Sequence, residues 1–151
     1  MNVFLMSAGV AVALAVALLL VLGFRSSAKQ RAIWKGWDEP DASGLTLFQV
    51  KCETALVDLL ARRGLELTGR DLEDLGGEPK HHSIRADLGD TPWRIWIDDT
   101  EFCLAGPDDG PFHGWLHLAS WAYRTPEDLI SGVVTHVESV LETLPRVAAQ
   151  Q

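Results

Sequence analysis

The first 24 residues contain no charged side chain, and this feature constrains the chain more than any other. The apolar core of the run covers residues 3–24. A helix of that length rises roughly 33 Å, at about 1.5 Å per residue, and so can cross a hydrocarbon core of roughly 30 Å. A lone strand is unsuitable because lipid leaves its backbone polar groups unsatisfied. We therefore predict a transmembrane anchor over residues 1–24.

A cleaved signal peptide is the alternative interpretation of this run. Such a peptide has a positive segment before a shorter apolar stretch, and small residues at the cleavage site. In this chain the positive charges follow the apolar run, and residues 25–28 place an arginine where cleavage would occur. The pattern favours an uncleaved anchor.

Residues 25–44 form a basic, Trp-containing juxtamembrane segment that ends in a turn-rich linker over 38–44. Positive charges concentrate on cytoplasmic flanks, so we expect the N-terminus outside and the following domain on the cytoplasmic side of the inner (plasma) membrane. Tryptophan beside Lys and Arg suits the headgroup zone, although these tryptophans could instead pack on the domain. The predicted interface residues are Arg25, Lys29, Arg31, Trp34, Lys35 and Trp37.

Small residues recur at every fourth position of the predicted anchor, at Gly9, Ala13 and Ala17. Such spacing lets two helices approach closely in a membrane. An Ala-rich span also produces it by chance. The pattern is compatible with helix packing against another membrane subunit.

The remainder of the chain is strongly acidic. Residues 38–151 carry 9 positive and 21 acidic side chains, a formal charge of −12. Nucleic-acid binding depends on Lys and Arg contacts with phosphates, so nucleic acid is excluded as an expected partner. Anionic lipid headgroups repel such a domain as well. We expect it to stand off the bilayer and to meet protein partners.

Residues 45–146 predict an α+β domain, and residues 147–151 a frayed tail. A helical apolar stripe runs over 46–63, and a second helix begins at Thr125 with Pro126 in its first position and ends at Pro145. Between them we predict about four antiparallel strands among segments 65–68, 82–88, 93–97, 100–105 and 115–122, with 71–80 as a loop. Both helices are expected on one face of the sheet, in a two-layer sandwich.

The two cysteines fall in different predicted elements. Cys52 lies in the first helix and Cys103 in a strand, and both are expected to be small buried residues. A disulfide between them would require export of the domain, since disulfides follow compartment.

Candidate chemical motifs are weak. His113 and His117 are four residues apart, but Gly114 stands where a metalloprotease helix needs Glu, and on a strand they would be about 13 Å apart. The acid pairs at 98–99 and 108–109 occupy predicted turns, where Asp is favoured. No nucleophile motif or phosphate-binding glycine loop is present in the sequence. We therefore predict no catalytic residue, metal or cofactor, and no enzyme activity.

Tryptophan and arginine residues in the strands are the best candidates for partner binding. Trp93 is in phase with Ile95 and is expected in the core, whereas Trp96 is out of phase and stands beside Arg94. Exposed Trp and Arg are typical of binding hot spots. The predicted partner-binding residues are Arg94, Trp96, Trp115 and Trp121.

These features support three hypotheses. The first is a non-catalytic, membrane-anchored accessory or adaptor subunit of a bacterial inner-membrane complex. The second is an immunity-type or inhibitory protein whose acidic surface neutralises a basic partner. The third is a membrane-anchored hydrolase or metal enzyme, which predicts convergent His and Asp side chains or a bound metal.

Overall fold

The computed structural model describes residues 28–106 and 115–143. The chain divides into two compact units, Met1–Trp34 and Lys35–Gln151. In the first unit residues 28–34 are helical and form α1. The predicted anchor, its small residues and Arg25 lie outside the described residues. Within the described ranges, no helix combines the length and apolar character needed to cross a membrane.

Among the described residues the second unit is α+β, with five strands, two α-helices and a short 3-10 helix. Its elements, in chain order, are α2 (Leu47–Arg62), β1 (Leu67–Gly76), β2 (His81–Leu88), β3 (Arg94–Ile97), β4 (Glu101–Ala105), β5 (Trp115–Ala119), a short 3-10 helix (Ser120–Ala122) and α3 (Pro126–Thr143).

The five strands form one antiparallel sheet in which spatial order follows chain order, from β1 to β5. Side chains alternate between the two faces of such a sheet. The register places the buried apolar residues of the strands, apart from Ala119, together on one face, here called the apolar face: Ile84, Ala86, Leu88, Ile95, Ile97, Phe102, Leu104 and Leu118.

The helices begin and pack as their sequences predict. Thr46 caps α2 through a capping box with Gln49, and the Thr125 hydroxyl accepts a bond from the Asp128 amide at the start of α3. α2 and α3 contact each other, α2 contacts β3 and α3 contacts β5. Their apolar stripes are buried, from Phe48 to Leu60 on α2 and from Leu129 to Leu141 on α3.

The prediction of a loop over 71–80 is wrong for most of its length, because β1 runs to Gly76. β1 pairs only with β2 in the described part of the chain, so it is an edge strand. An edge strand need not alternate apolar and polar residues, and charges commonly occupy such edges. Register shifts at 68/71 and 74/76 further blur the pattern. The sheet therefore has five strands rather than about four.

The predicted hairpin between β3 and β4 is present. Its turn is closed by the Asp98 amide, which donates to the Glu101 carbonyl at 2.9 Å. No non-glycine residue has a positive φ anywhere in the described ranges. The turn therefore avoids the left-handed conformation for which Asp98-Asp99 is poorly suited.

The turn-rich segment 38–44 is bonded to the domain. The His82 amide donates to the Gly44 carbonyl at 2.9 Å, and the Phe48 amide donates to the Trp37 carbonyl at 3.1 Å. An isolated bridge joins Pro40 to Thr46. These bonds make the segment part of the second unit.

A buried polar side chain joins α2 to the sheet. The amide nitrogen of Gln49 donates to the carbonyls of His82 (2.6 Å) and Ile97 (2.8 Å), and its oxygen accepts from the Thr46 amide (2.8 Å). Gln49 and Thr46 are fully buried. A polar group at such depth must have hydrogen-bond partners, and this one links the helix cap to two strands.

Candidate functional site

The sheet face opposite the apolar face is rich in charged and polar side chains. We call it the polar face, defined by Arg85, Asp87, Arg94, Trp96, Cys103 and His117. In the register Arg85, Trp96, Cys103 and His117 follow one another across β2, β3, β4 and β5. All of these side chains are exposed or half-buried. A row of this kind presents cationic, aromatic and thiol groups on one surface.

Ion pairs hold the arginines of the polar face in place. Arg94 Nε lies 2.8 Å from Asp87 Oδ1, across the β2–β3 pair. Arg85 pairs with Glu73 of β1. These partners are well exposed, so each pair adds little to stability. Their effect is to orient the guanidinium groups, which keeps both charges on the face.

Two adjoining hollows lie on the polar face. The larger has a volume of about 370 Å³ and the smaller about 170 Å³. Asp87, Arg94 and Trp96 line both. The larger extends towards Pro92 and Gly106, and the smaller towards Gly69 and Arg85. Arg94 and Trp96 therefore stand at the centre of a shallow groove that crosses strands β1 to β4.

The four predicted partner-binding residues are only partly brought together. Arg94 and Trp96 share the polar face, and Trp93 is buried beside the apolar face as expected. Trp121 lies in the 3-10 helix after β5, where its side chain is 79% exposed. The strand predicted to reach residue 122 ends at Ala119, which removes Trp121 from the sheet. Trp115 takes the register position opposite Ala105.

The juxtamembrane residues divide between the two units. Lys29 and Arg31 are exposed on α1, which ends at Trp34, itself only 4% exposed. Lys35 is exposed and Trp37 half-buried at the start of the second unit. The Trp37 carbonyl accepts a bond from α2, as described above.

The pairing of β4 with β5 places three potentially reactive side chains on neighbouring positions of the polar face, which the sequence does not reveal. His117 Nε2 lies 2.8 Å from Glu101 Oε2, and Cys103 stands opposite His117 in the register. The order thiol, imidazole, carboxylate resembles an activated nucleophile. Burial, followed by the charges of Asp98 and Glu101, raises the pKa of the Cys103 thiol above its ordinary value. The group is thus a thiol at neutral pH, which is a weak nucleophile.

The two cysteines are free and lie in different environments. Cys52 is fully buried on α2, and burial raises the pKa of its thiol to about 12. Cys103 is half-buried on the polar face, so the expectation that it is a buried residue is wrong. A Cys52–Cys103 bridge is absent.

We expect native-state alkylation to separate the two thiols. Cys103 should react with iodoacetamide at least about tenfold faster than Cys52, whose reaction needs local opening of the core. Because the pKa of the Cys103 thiol is raised, its alkylation rate should continue to increase with pH beyond the pH at which the rate of a free cysteine has levelled off. Mass spectrometry of Cys52→Ser and Cys103→Ser proteins assigns each rate. Equal rates in the folded protein would contradict the assigned burial.

A metal site finds no support among the described residues. In the ranges 28–106 and 115–143, no three His, Cys, Asp or Glu side chains are grouped closely enough to hold an ion. His113 lies outside them. His81 Nδ1 is 2.8 Å from Asp99 Oδ2, a single pair at the edge of β2.

Comparison with known proteins found no matching family model, no matching curated protein and no matching solved structure. The class that the fold defines is therefore an α+β domain with a five-stranded antiparallel meander. Its function has to be argued from its own surfaces.

Proposed function

We propose that the protein is a non-catalytic accessory or adaptor subunit, anchored in a bacterial inner membrane by residues 1–24. Its domain is a two-layer sandwich in which both helices cover one face of the sheet. The other face, the polar face, is presented to a protein partner.

The observation that carries the proposal is the Arg94–Trp96 groove on that face. Trp and Arg contribute more binding energy than other residues where they become desolvated at the centre of an interface. Arg94 is already oriented by Asp87, which lowers the entropy cost of ordering it on binding. The combined hollows have the shallow form suited to side chains of a partner rather than to a deeply enclosed small molecule.

The anchor supports the same proposal through its sequence. An uncharged run of this length restricts the domain to a membrane surface, while the −12 charge of residues 38–151 keeps it off anionic lipid. A domain placed in this way is positioned to meet other subunits of a membrane complex.

Co-purification from native membrane in a mild detergent tests this function. The full chain should be recovered with a stoichiometric protein partner, and the double variant Arg94→Ala/Trp96→Ala should lose it, with an affinity reduced at least about 30-fold. Arg124→Ala removes an exposed arginine elsewhere and should retain the partner. Recovery of the wild-type chain as a free monomer would sink the proposal, as would a double variant that still holds its partner.

A second candidate is an immunity-type or inhibitory protein that neutralises a basic partner. The observation in its favour is the acidic character of β1, where Asp71, Glu73 and Asp74 fall within four residues. Both candidates are binding functions, and the identity of the co-purified protein separates them. A basic toxin or enzyme supports the second, and a membrane-complex subunit supports the first.

A further inference from the structure

The outer edge of β1 adjoins the smaller hollow, which Asp71 lines, but it offers main-chain groups rather than the side chains of Arg94 and Trp96. β1 is the outermost strand of the sheet and pairs with β2 alone among the described residues. An unpaired edge offers backbone N–H and C=O groups to another extended chain, which can add to the sheet as a further strand.

Two backbone donors of this edge are satisfied by carboxylates of the strand itself. The Leu72 amide donates to Asp71 Oδ1 at 2.9 Å, and the Gly76 amide donates to Asp74 Oδ1 at 2.7 Å. Asp71 and Asp74 are exposed, so these bonds can be exchanged for others at little cost. If a backbone carbonyl of the partner replaces one of these carboxylates as the acceptor, the carboxylate is freed, and its negative charge then lies beside the added strand.

Apolar side chains border the same edge. Leu72 is 37% exposed and Leu75 51% exposed on β1. On α2, Val50 and Val57 are exposed as well, and each lies about one helical turn from Glu53. The helix and the strand are joined at this point, because Glu53 pairs with Arg70 of β1. An added strand would therefore bury apolar surface as well as form main-chain bonds.

The charges of the edge select the occupant. Residues 71–74 carry three carboxylates, and Glu66 and Glu78 lie just beyond the two ends of β1. The one cation within β1, Arg70, is neutralised by Glu53, and Glu73 is paired with Arg85, so Asp71 and Asp74 are the carboxylates that an added strand would meet. A second copy would bring the same acids face to face, which is unfavourable, whereas lysine or arginine side chains of a partner would meet the released carboxylates.

We propose that β1 accepts a basic, extended segment of a partner protein as a sixth strand, with main-chain pairing over residues 71–76 and cationic side chains beside Asp71 and Asp74. This inference rests on the main-chain groups of β1 and does not need Arg94 or Trp96, although Asp71 also lines the smaller hollow of the groove.

The test uses the full chain in detergent micelles and a fluorescent synthetic peptide in which lysine alternates with valine. Anisotropy should show saturable binding that weakens as sodium chloride is raised, because the charges are exposed. A peptide with glutamate for lysine, and the lysine peptide with alternate backbone nitrogens methylated, should each bind at least about tenfold more weakly. Amide exchange should slow in β1 when the lysine peptide is added.

Variants locate the site. Asp71→Asn/Asp74→Asn should weaken the lysine peptide about tenfold. Glu127→Gln/Asp128→Asn removes the same charge from exposed positions on α3 and should leave the affinity unchanged. Equal binding of the methylated peptide, an equal effect of both double variants, or no binding of the lysine peptide would each overturn the proposal. Self-association of the full chain through β1 would overturn it too, because a second copy would then be the occupant.

Discussion

Replacing Gln49 by alanine is expected to lower the free energy of unfolding by about 2–4 kcal/mol. The substitution removes a side-chain donor to the His82 and Ile97 carbonyls, and the acceptor of the Thr46 amide. These groups lie in the interior, where an unpaired carbonyl or amide incurs most of its desolvation cost. Urea denaturation of the full chain, followed by tryptophan fluorescence, measures the change.

Two further variants show whether the hydrogen bonds or the lost volume cause this effect. Gln49→Glu preserves the shape and the acceptor for Thr46 but places an acid against two carbonyl oxygens. It should be destabilised at neutral pH and recover in part as the pH falls, because the protonated acid can donate one bond. Thr54→Ala removes an exposed hydroxyl bond within α2 and should change stability by less than about 0.5 kcal/mol. A Gln49→Ala protein as stable as the Thr54→Ala control would contradict the assigned role.

Gly44→Ala is expected to be similarly damaging, at about 2–4 kcal/mol. Gly44 has φ of +80°, which an alanine adopts only with strain. It is also pressed against His82, since an added Cβ would lie 2.2 Å from Nδ1 of that ring and 3.2 Å from the Lys80 carbonyl oxygen. Both strain and overlap therefore oppose the methyl group.

Gly64 provides the matched control for the cost of placing an alanine at a positive φ. Its φ is +70°, and an added Cβ would meet nothing within 4 Å, so Gly64→Ala should cost only about 1 kcal/mol. The Gly44→Ala/His82→Ala double variant should regain the stability lost to the overlap but not the stability lost to backbone strain. A double-mutant cycle that includes His82→Ala isolates the coupling between the two positions. Equal losses for Gly44→Ala and Gly64→Ala would show that the close approach to His82 has no energetic effect.

Periodicity predicted the elements that bury an apolar face. The stripe of α3 and its Thr125 cap are confirmed, and β2, β3 and β4 fall within a residue or so of the predicted segments. In each case burial on one side forces apolar residues to recur at the period of the element. The α+β class followed from their order along the chain.

Periodicity failed where burial does not select the residues. β1 lies at the edge, so only its pairing with β2 makes it a strand, and that pairing leaves little trace in a polar sequence. Gln49 was missed for the opposite reason. In the sequence, a polar residue on the buried face of α2 interrupts the apolar stripe. The hydrogen bonds that stabilise Gln49 there go to the carbonyls of His82 and Ile97, which are distant in the chain.

The candidate site was predictable in part. The alternation along β3 placed Trp96 and Arg94 on the side away from the core, which the structure confirms. The grouping of Cys103, His117 and Glu101 depends on the register between β4 and β5, and register across a long connection cannot be read from one strand. Trp121 was misplaced because β5 gives way to a 3-10 helix at Ser120.

The sequential order of the strands has a consequence for how the domain forms on the ribosome. Each strand pairs with its neighbour in the chain, so the meander can assemble hairpin by hairpin as it emerges. The last described element, α3, contacts β5 and α2, and its Glu138 pairs with Arg63 at 2.8 Å across 75 residues of chain. Until α3 is synthesised, the apolar face near β5 has no cover from it, and the nascent sheet is at its most vulnerable to aggregation. Translation of the final helix is thus the step that closes the core.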